Sequence, residues 1–226
     1  LQERARNMDP KQLFDLTGKS AAITGGGGVR CGALAECLAS AGAQVALLDL
    51  KLEAAQAVAD RINKSEPGYV DPARSGPRAI AVTANVLERP SMEAALAKCV
   101  EAFGKVDILV NGAGGNHPAA TTGPGKRFFD LPIEAFGKVM DLNILGTILP
   151  SMVFGKAMAE RGEGVFLNIA SMNAFRPLTK IAAYSPAKAG VKNFTQWLAV
   201  HMAQEYSPRI RVNGIAPGFF LTEQNR

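Results

Sequence analysis

The sequence predicts a doubly wound α/β fold, a parallel sheet with helices on both faces. Three observations predict it. Short apolar runs alternate with helix-period stretches along the chain, the first run ends in four glycines ahead of a helix, and no composition break divides the 226 residues. Near-continuous apolar strands are what a sheet covered on both sides requires, and alternation with helices makes it Rossmann-like. One domain over residues 1–226 is expected.

The elements follow in order. Residues 20–24 (SAAIT) form the first strand, and 29–41 have helical periodicity stopped by Gly42. Residues 44–48 are a strand ending at Asp49, and 52–63 an amphipathic helix. A Pro/Gly-rich loop spans 65–77, then a strand 78–83. Residues 90–103 are a helix with Pro90 at its start and Gly104 past its end. The strand 106–110 is the most apolar and leads into a loop over 112–130. The second half repeats the rhythm: a long helix 132–161 kinked at Pro150, a strand 165–170, a helix 181–206 and a strand 210–215.

Composition excludes several classes. Hydrophobic residues are 47% and charged residues 20%, which removes disordered tails from consideration. The net charge of +5 is scattered, with no cluster of five Lys/Arg to mark a nucleic-acid patch; it mildly favours anionic small molecules. Three cysteines (Cys31, Cys37, Cys99) without a Cys-x-x-Cys pair read as buried thiols in a reducing, cytoplasmic compartment. His117 and His201 form no zinc motif, so no metal site is expected; His117 reads as an incidental loop residue and His201 as structural. No leader is expected at the N-terminus and no 18-residue apolar run for a membrane span.

The chemistry concentrates at strand ends. In Thr24-Gly25-Gly26-Gly27-Gly28-Val29 the backbone can approach a pyrophosphate, and the next helix points free N–H groups at it. Asp49, about 20 residues on, suits the hydroxyls of an adenosine ribose. Asn111-Gly112-Ala113-Gly114 closes the fourth strand with small residues that leave room for a ring or ribose. Tyr184 and Lys188, four apart on a helix, share a face. A free phenol, pKa near ~10, is a poor base at neutral pH, and a cation one turn away favours its ionised form. Ser171 ends a buried strand, and Asn143, in an apolar helical stretch, needs a partner.

These motifs, in this order, resemble the short-chain dehydrogenase/reductase family over about residues 13–222. The matching residues are Thr24-Gly25 with the glycine run, Asp49, Asn85-Val86, Asn111 to Gly114, Asn143, Ser171, Tyr184-x-x-x-Lys188 and Pro217-Gly218 with Thr222. The resemblance implies a catalytic tetrad. Tyr184 is the acid/base, Lys188 tunes it and holds the nicotinamide ribose, Ser171 steadies the substrate oxygen, and Asn143 holds a water linking Lys188 to solvent. It implies NAD contacts from Gly25, Gly28, Val29, Asp49, Leu50, Asn85, Val86, Asn111, Ala113, Gly114, Tyr184, Lys188, Pro217, Gly218, Phe220 and Thr222. Two departures stand out. Val29 and Cys31 occupy the family's last two glycine places, and the chain stops at Arg226, before the expected lid segment and seventh strand.

The expected activity is NAD(H)-dependent interconversion of a secondary alcohol and a ketone. NAD is expected over NADP because Asp49 repels a 2′-phosphate, with Arg30 and Lys51 as opposing cations. The glycine run and Asn111 to Pro118 (NGAGGNHP) look like a subgroup that includes fructuronate reductases, or mannonate oxidoreductases. An anionic sugar acid is therefore the first substrate choice, with Arg176 for its carboxylate and Asn116 and Asn173 for its hydroxyls. Lys126, Arg127 and Lys180 are further candidates for the carboxylate. A 3-ketoacyl thioester or a polyol is the alternative within the family, and a non-catalytic dinucleotide sensor the alternative outside it. Family resemblance implies a homo-oligomer, tetramer or dimer, without nucleic-acid or membrane partners.

Overall fold

The computed structural model describes residues 13–65 and 76–219. Six strands form one sheet: β1 (Ser20–Thr24), β2 (Gln44–Asp49), β3 (Ala79–Thr83), β4 (Ile108–Asn111), β5 (Gly164–Ile169) and β6 (Ile210–Ile215). Every pairing is parallel, in the order β3-β2-β1-β4-β5-β6. The order reverses between β1 and β4, and ligands of such sheets bind beyond the strand carboxyl ends at that switch point. The helices are α1 (Val29–Ser40), α2 (Leu52–Lys64), α3 (Arg89–Phe103), α4 (Ile133–Met140), α5 (Gly146–Arg161) and α6 (Tyr184–Glu205). Most of the 65–77 loop, with Phe220 and Thr222, lies outside the described residues.

The period-two geometry of each strand sorts its side chains into two cores. Ala21, Ile23, Val45, Leu47 and Val110 face α1 and α2. Ala22, Leu48, Leu109, Phe166 and Val212 face α3, α5 and α6. A smaller third core joins Ala120, Ala135, Val139, Ala183 and Ala187, with Tyr184 packed against it. It seats the start of α6 on α4 and thereby places the catalytic-candidate tyrosine.

The long helix differs from expectation in two ways. It stays helical through the buried Pro150, and its departure from α geometry is a π turn at Asp141–Leu145, one turn upstream. Over 133–161 it is also long and apolar enough to cross a membrane by length and composition, which corrects the expectation that no such stretch exists. Half of its apolar window is buried in the protein, so that surface already has a core to cover. The α6 helix begins at Tyr184 rather than 181, and Lys180 ahead of it takes a left-handed backbone (φ 72°). Cys37 is exposed, against the expectation of buried thiols, while Cys31 and Cys99 are buried.

The glycine run has a packing reason besides ligand approach. Gly25 is left-handed (φ 67°), and a Cβ at Gly27 would fall 2.6 Å from the Ala54 side chain of α2. Gly137, within α4, has open space around its missing Cβ. We expect Gly27→Ala to cost about 1–3 kcal/mol of unfolding free energy. Gly137→Ala should gain about 0.5–1 kcal/mol. Urea denaturation of the two variants checks both signs.

Candidate active site

The switch point is built by side chains that tie strand ends together. The Thr24 hydroxyl, at the end of β1, accepts the N–H groups of Gly112 and Ala113 (both 3.1 Å), fixing the loop after β4 above the glycine run. Below it, Asn111 on β4 is in register with Asn168 on β5. Asn111 Nδ2 donates to Asn168 Oδ1 (2.8 Å) and to Ser151 Oγ (2.9 Å), and Asn168 Nδ2 donates to Thr195 Oγ1 (2.9 Å). This fully buried network joins β4, β5, α5 and α6. Asn168 was missed as a site-building residue, though an Asn inside an apolar strand is a readable signal. Asn111 thus uses its amide N–H groups inside the protein, while its Oδ1 has no partner among the described residues.

The dinucleotide-side candidates gather around the glycine run. Asp49 ends β2, and its carboxylate accepts the N–H groups of Gly27 and Lys51 (both 3.0 Å). Gly28 precedes α1 in extended conformation and no side chain caps the helix. Val29 and Leu50 are exposed (64% and 68%) beside it. At the end of β3, Asn85 uses its side chain in its own turn, accepting from Leu87 N–H (3.1 Å) and donating to Glu88 (2.8 Å). Val86 is buried, and a Cβ on Gly146 would lie 2.9 Å from its side chain. A Cβ on Gly112 would overlap the Cys31 sulfur, so Cys31 is matched by a glycine opposite. Burial pushes the Cys31 thiol pKa up, against the pull of Arg30 and Lys188.

The four tetrad candidates are brought to one place. Lys188 is buried (3% exposed), and its Nζ donates to the Ile169 carbonyl at the end of β5 (2.7 Å), 5.8 Å from the centre of the Tyr184 ring. Burial, aided by the positive charge of Arg30, lowers its pKa from 10.5 to about 8. Asn143, in the π turn, donates to the Gly115 and Val139 carbonyls (2.7 and 2.8 Å) and accepts the Gly115 N–H (3.2 Å). Its partners are thus the loop after β4, through Gly115, and its own preceding helical turn, through Val139. A Cβ on Gly114 would lie 2.7 Å from Asn143 Oδ1 and 3.1 Å from Lys188 Nζ, so glycine is required between them. Ser171 Oγ accepts the Asn173 N–H (3.2 Å), which leaves its own proton to be donated.

Two cavities meet at Tyr184. One, about 330 Å³, is bounded by Val29, Cys31, Gly112, Lys188 and Pro217. The other, about 370 Å³, is bounded by Asn116, Ser171, Asn173, Lys180 and Gly218. Arg30, Gly114 and Tyr184 border both. Arg176 borders neither and is exposed. The turn at Met172–Ala174, closed by Arg176 N–H on the Met172 carbonyl (3.0 Å), carries it outward, which corrects its expected place. Lys126 is tied to the Pro118 and Ala119 carbonyls and Arg127 to Asp130, so Lys180 is the one of the further candidates that reaches the cleft. His117 caps a short turn, and His201 stacks on Trp197 (4.7 Å) away from both cavities.

Comparison with known proteins adds the following. Residues 19–226 match the short chain dehydrogenase family model. UxuB of Bacillus subtilis (strain 168), an uncharacterized oxidoreductase, is 45% identical over 219 residues, 93% of this chain and 74% of that protein. The NAD-dependent glycerol dehydrogenase of Listeria innocua serovar 6a is 33% identical over 211 residues, 93% and 74% of the two chains. A crystal structure of a proposed D-mannonate oxidoreductase from Haemophilus influenza with bound NAD has a TM-score of 0.84 at 44% identity. It covers 96% of this chain and 76% of its own.

The buried Lys188 makes a stability prediction. Its folded pKa of about 8 lies below the ordinary 10.5, so between those values the unfolded chain binds more protons and stability rises with pH. Below pH 8 the full penalty of burying the cation applies, about 3 kcal/mol at 1.36 kcal/mol per unit. Lys188→Met removes that penalty but leaves the Ile169 carbonyl without its donor, a loss of about 1 kcal/mol. The expected net gain is about 1–2 kcal/mol at pH 7, shrinking towards pH 10, measured by urea unfolding across that range.

Proposed function

The chain belongs to the short-chain dehydrogenase family, and we propose that it is an NAD(H)-dependent oxidoreductase interconverting a secondary alcohol and a ketone on an anionic sugar acid, in the manner of fructuronate and mannonate. The observation that carries this reading is the position of Tyr184 at the junction of two cavities. One leads back to the glycine run and the other opens among Ser171, Asn173 and Lys180.

The residues fit NAD. The N–H groups of the first turn of α1 have no acceptor within the helix and no capping side chain, which suits a pyrophosphate. Each Asp49 oxygen takes one backbone N–H and keeps a lone pair for a ribose hydroxyl. Leu50 adds exposed apolar surface beside it. When bound, the nicotinamide accepts or gives the hydride. The chain's own residues handle the proton and the oxygen. Tyr184 takes the proton from the alcohol, or returns it to the carbonyl oxygen in the reverse direction. Ser171 donates its free hydroxyl proton to that oxygen. Lys188 holds positive charge under the ring, in a site where burial strengthens its field. Asn143 keeps Gly115 in place and so shapes the wall beside Gly114, which borders both cavities.

The anionic substrate is supported by charge. Arg30 and Lys180 border the open cavity and, among the described residues, no Asp or Glu does. The likeness to the Haemophilus structure, described by its NAD and by D-mannonate, agrees.

Tyr184→Phe should retain NADH binding, followed by fluorescence titration, and lose at least ~10²-fold in kcat, since only the proton donor is removed. Retention of more than a tenth of the rate would overturn the tyrosine's role. NAD should exceed NADP in kcat/KM by more than about tenfold, because a 2′-phosphate would face the Asp49 carboxylate. Asp49→Ser should shrink that ratio, read by the same assay with both cofactors.

A further inference from the structure

Resting on the reading above, we propose that Lys180 and the amide oxygens of Asn116 and Asn173 form a specificity site. Lys180 binds the substrate carboxylate, and the amide oxygens accept hydrogen bonds from its hydroxyls.

The amide oxygens are the first observation. Asn116 Oδ1 and Asn173 Oδ1 are buried and have no hydrogen-bond partner, and both residues border the cavity that holds Tyr184 and Ser171. A buried carbonyl oxygen without a donor costs stability, so a donor supplied from the cleft is the natural complement. The orientation of Asn116 is fixed by its neighbours. Its Nδ2 donates to Thr121 Oγ1 (2.8 Å), and that hydroxyl gives its own proton to the His117 carbonyl (3.1 Å). Thr121 Oγ1 is therefore an acceptor towards the amide, and a flipped Asn116 would set oxygen against oxygen. Several O–H donors on one molecule are what a polyhydroxy substrate offers.

Lys180 is the second observation. It is the one non-glycine residue with positive φ (72°) among the described residues, a conformation that is strained for a long side chain. The strain is held by the neighbouring loop: Thr122 donates its N–H (2.8 Å) and its hydroxyl (3.4 Å) to the Lys180 carbonyl. Thr121 and Thr122 thus orient Asn116 and Lys180 respectively, so consecutive residues of one loop fix an acceptor and a cation in the same cleft. Arg30, the other cation there, also borders the cavity of the glycine run beside Val29 and Cys31 and serves the phosphate side. That leaves Lys180 for a carboxylate at the open end, through a charge-assisted hydrogen bond.

The strain supplies a clean variant. Glycine adopts φ 72° freely, so Lys180→Gly removes the charge without endangering the fold. D-mannonate and the neutral D-mannitol are assayed with NAD, together with single-deoxy analogues of mannonate. For Lys180→Gly the mannonate-to-mannitol ratio of kcat/KM should fall tenfold or more, through KM. Lys180→Arg should restore most of it. For the wild type, one deoxy position should lose about tenfold or more, and in Asn116→Ala or Asn173→Ala that loss should shrink towards one, as coupled partners do. An unchanged mannonate-to-mannitol ratio in Lys180→Gly overturns the carboxylate role. Deoxy losses of equal size in wild type and both Asn variants overturn the amide role. Either result leaves the proposed reaction standing, since the wild type is still active. Absence of NAD-linked turnover of any of these compounds by the wild type, in either direction with the keto acid or ketose counterparts, overturns both the reaction and this site.

Discussion

The Asn111–Asn168 pair crosses β4 and β5 inside the protein, where a lone amide would be costly. Its hydrogen bonds reach Ser151 on α5 and Thr195 on α6, so the strands that deliver the loop after β4 and Ser171 are locked to the helices that deliver the π turn and Lys188. Everything above that layer inherits its spacing. Thr24 closes the loop onto β1, and Lys188 reaches the end of β5, because the strands beneath cannot slide past one another. An apolar pair of the same size would fill the space but would not specify the register.

Much of this was legible in the sequence because it follows from period and punctuation. The first strand, the last strand and the first helix stand where alternation and glycine place them. The Gly104 stop is a left-handed cap (φ 79°), as a glycine past a helix end suggests. The tetrad candidates converge because their positions are strand ends and one helix face. Other features were not legible. A π turn leaves the apolar period nearly intact, so it is invisible to a count of every third and fourth residue. Lys180 occupies a conformation that sequence rules give to glycine or asparagine, and only its loop partners make it tolerable. Arg176 and Lys180 sit on one loop with the same charge, yet of the two only Lys180 borders the cleft, a difference that no periodicity encodes.

The costly features cluster. A buried ammonium, a strained lysine and unpartnered amide oxygens all lie along the carboxyl edge of β4 and β5, while the cores on both faces of the sheet are ordinary packed apolar side chains. That distribution is what a binding edge mounted on a stable frame requires: the frame supplies the free energy, and the edge keeps groups in states that solvent alone would not leave them in.

The π turn at Asp141–Leu145 has the effect of one residue too many in an α-helix. Each residue of an α-helix advances the chain by about 100° around its axis. Excising that surplus would give a smoother helix and would swing α4 by that angle relative to α5. The third core, where Ala135 and Val139 support Ala183 and Tyr184, would lose its footing, and Asn143 would turn away from Gly115. The wall of the cleft is therefore set by the phase of a half-buried helix. A designer who idealises this helix dismantles the site from behind.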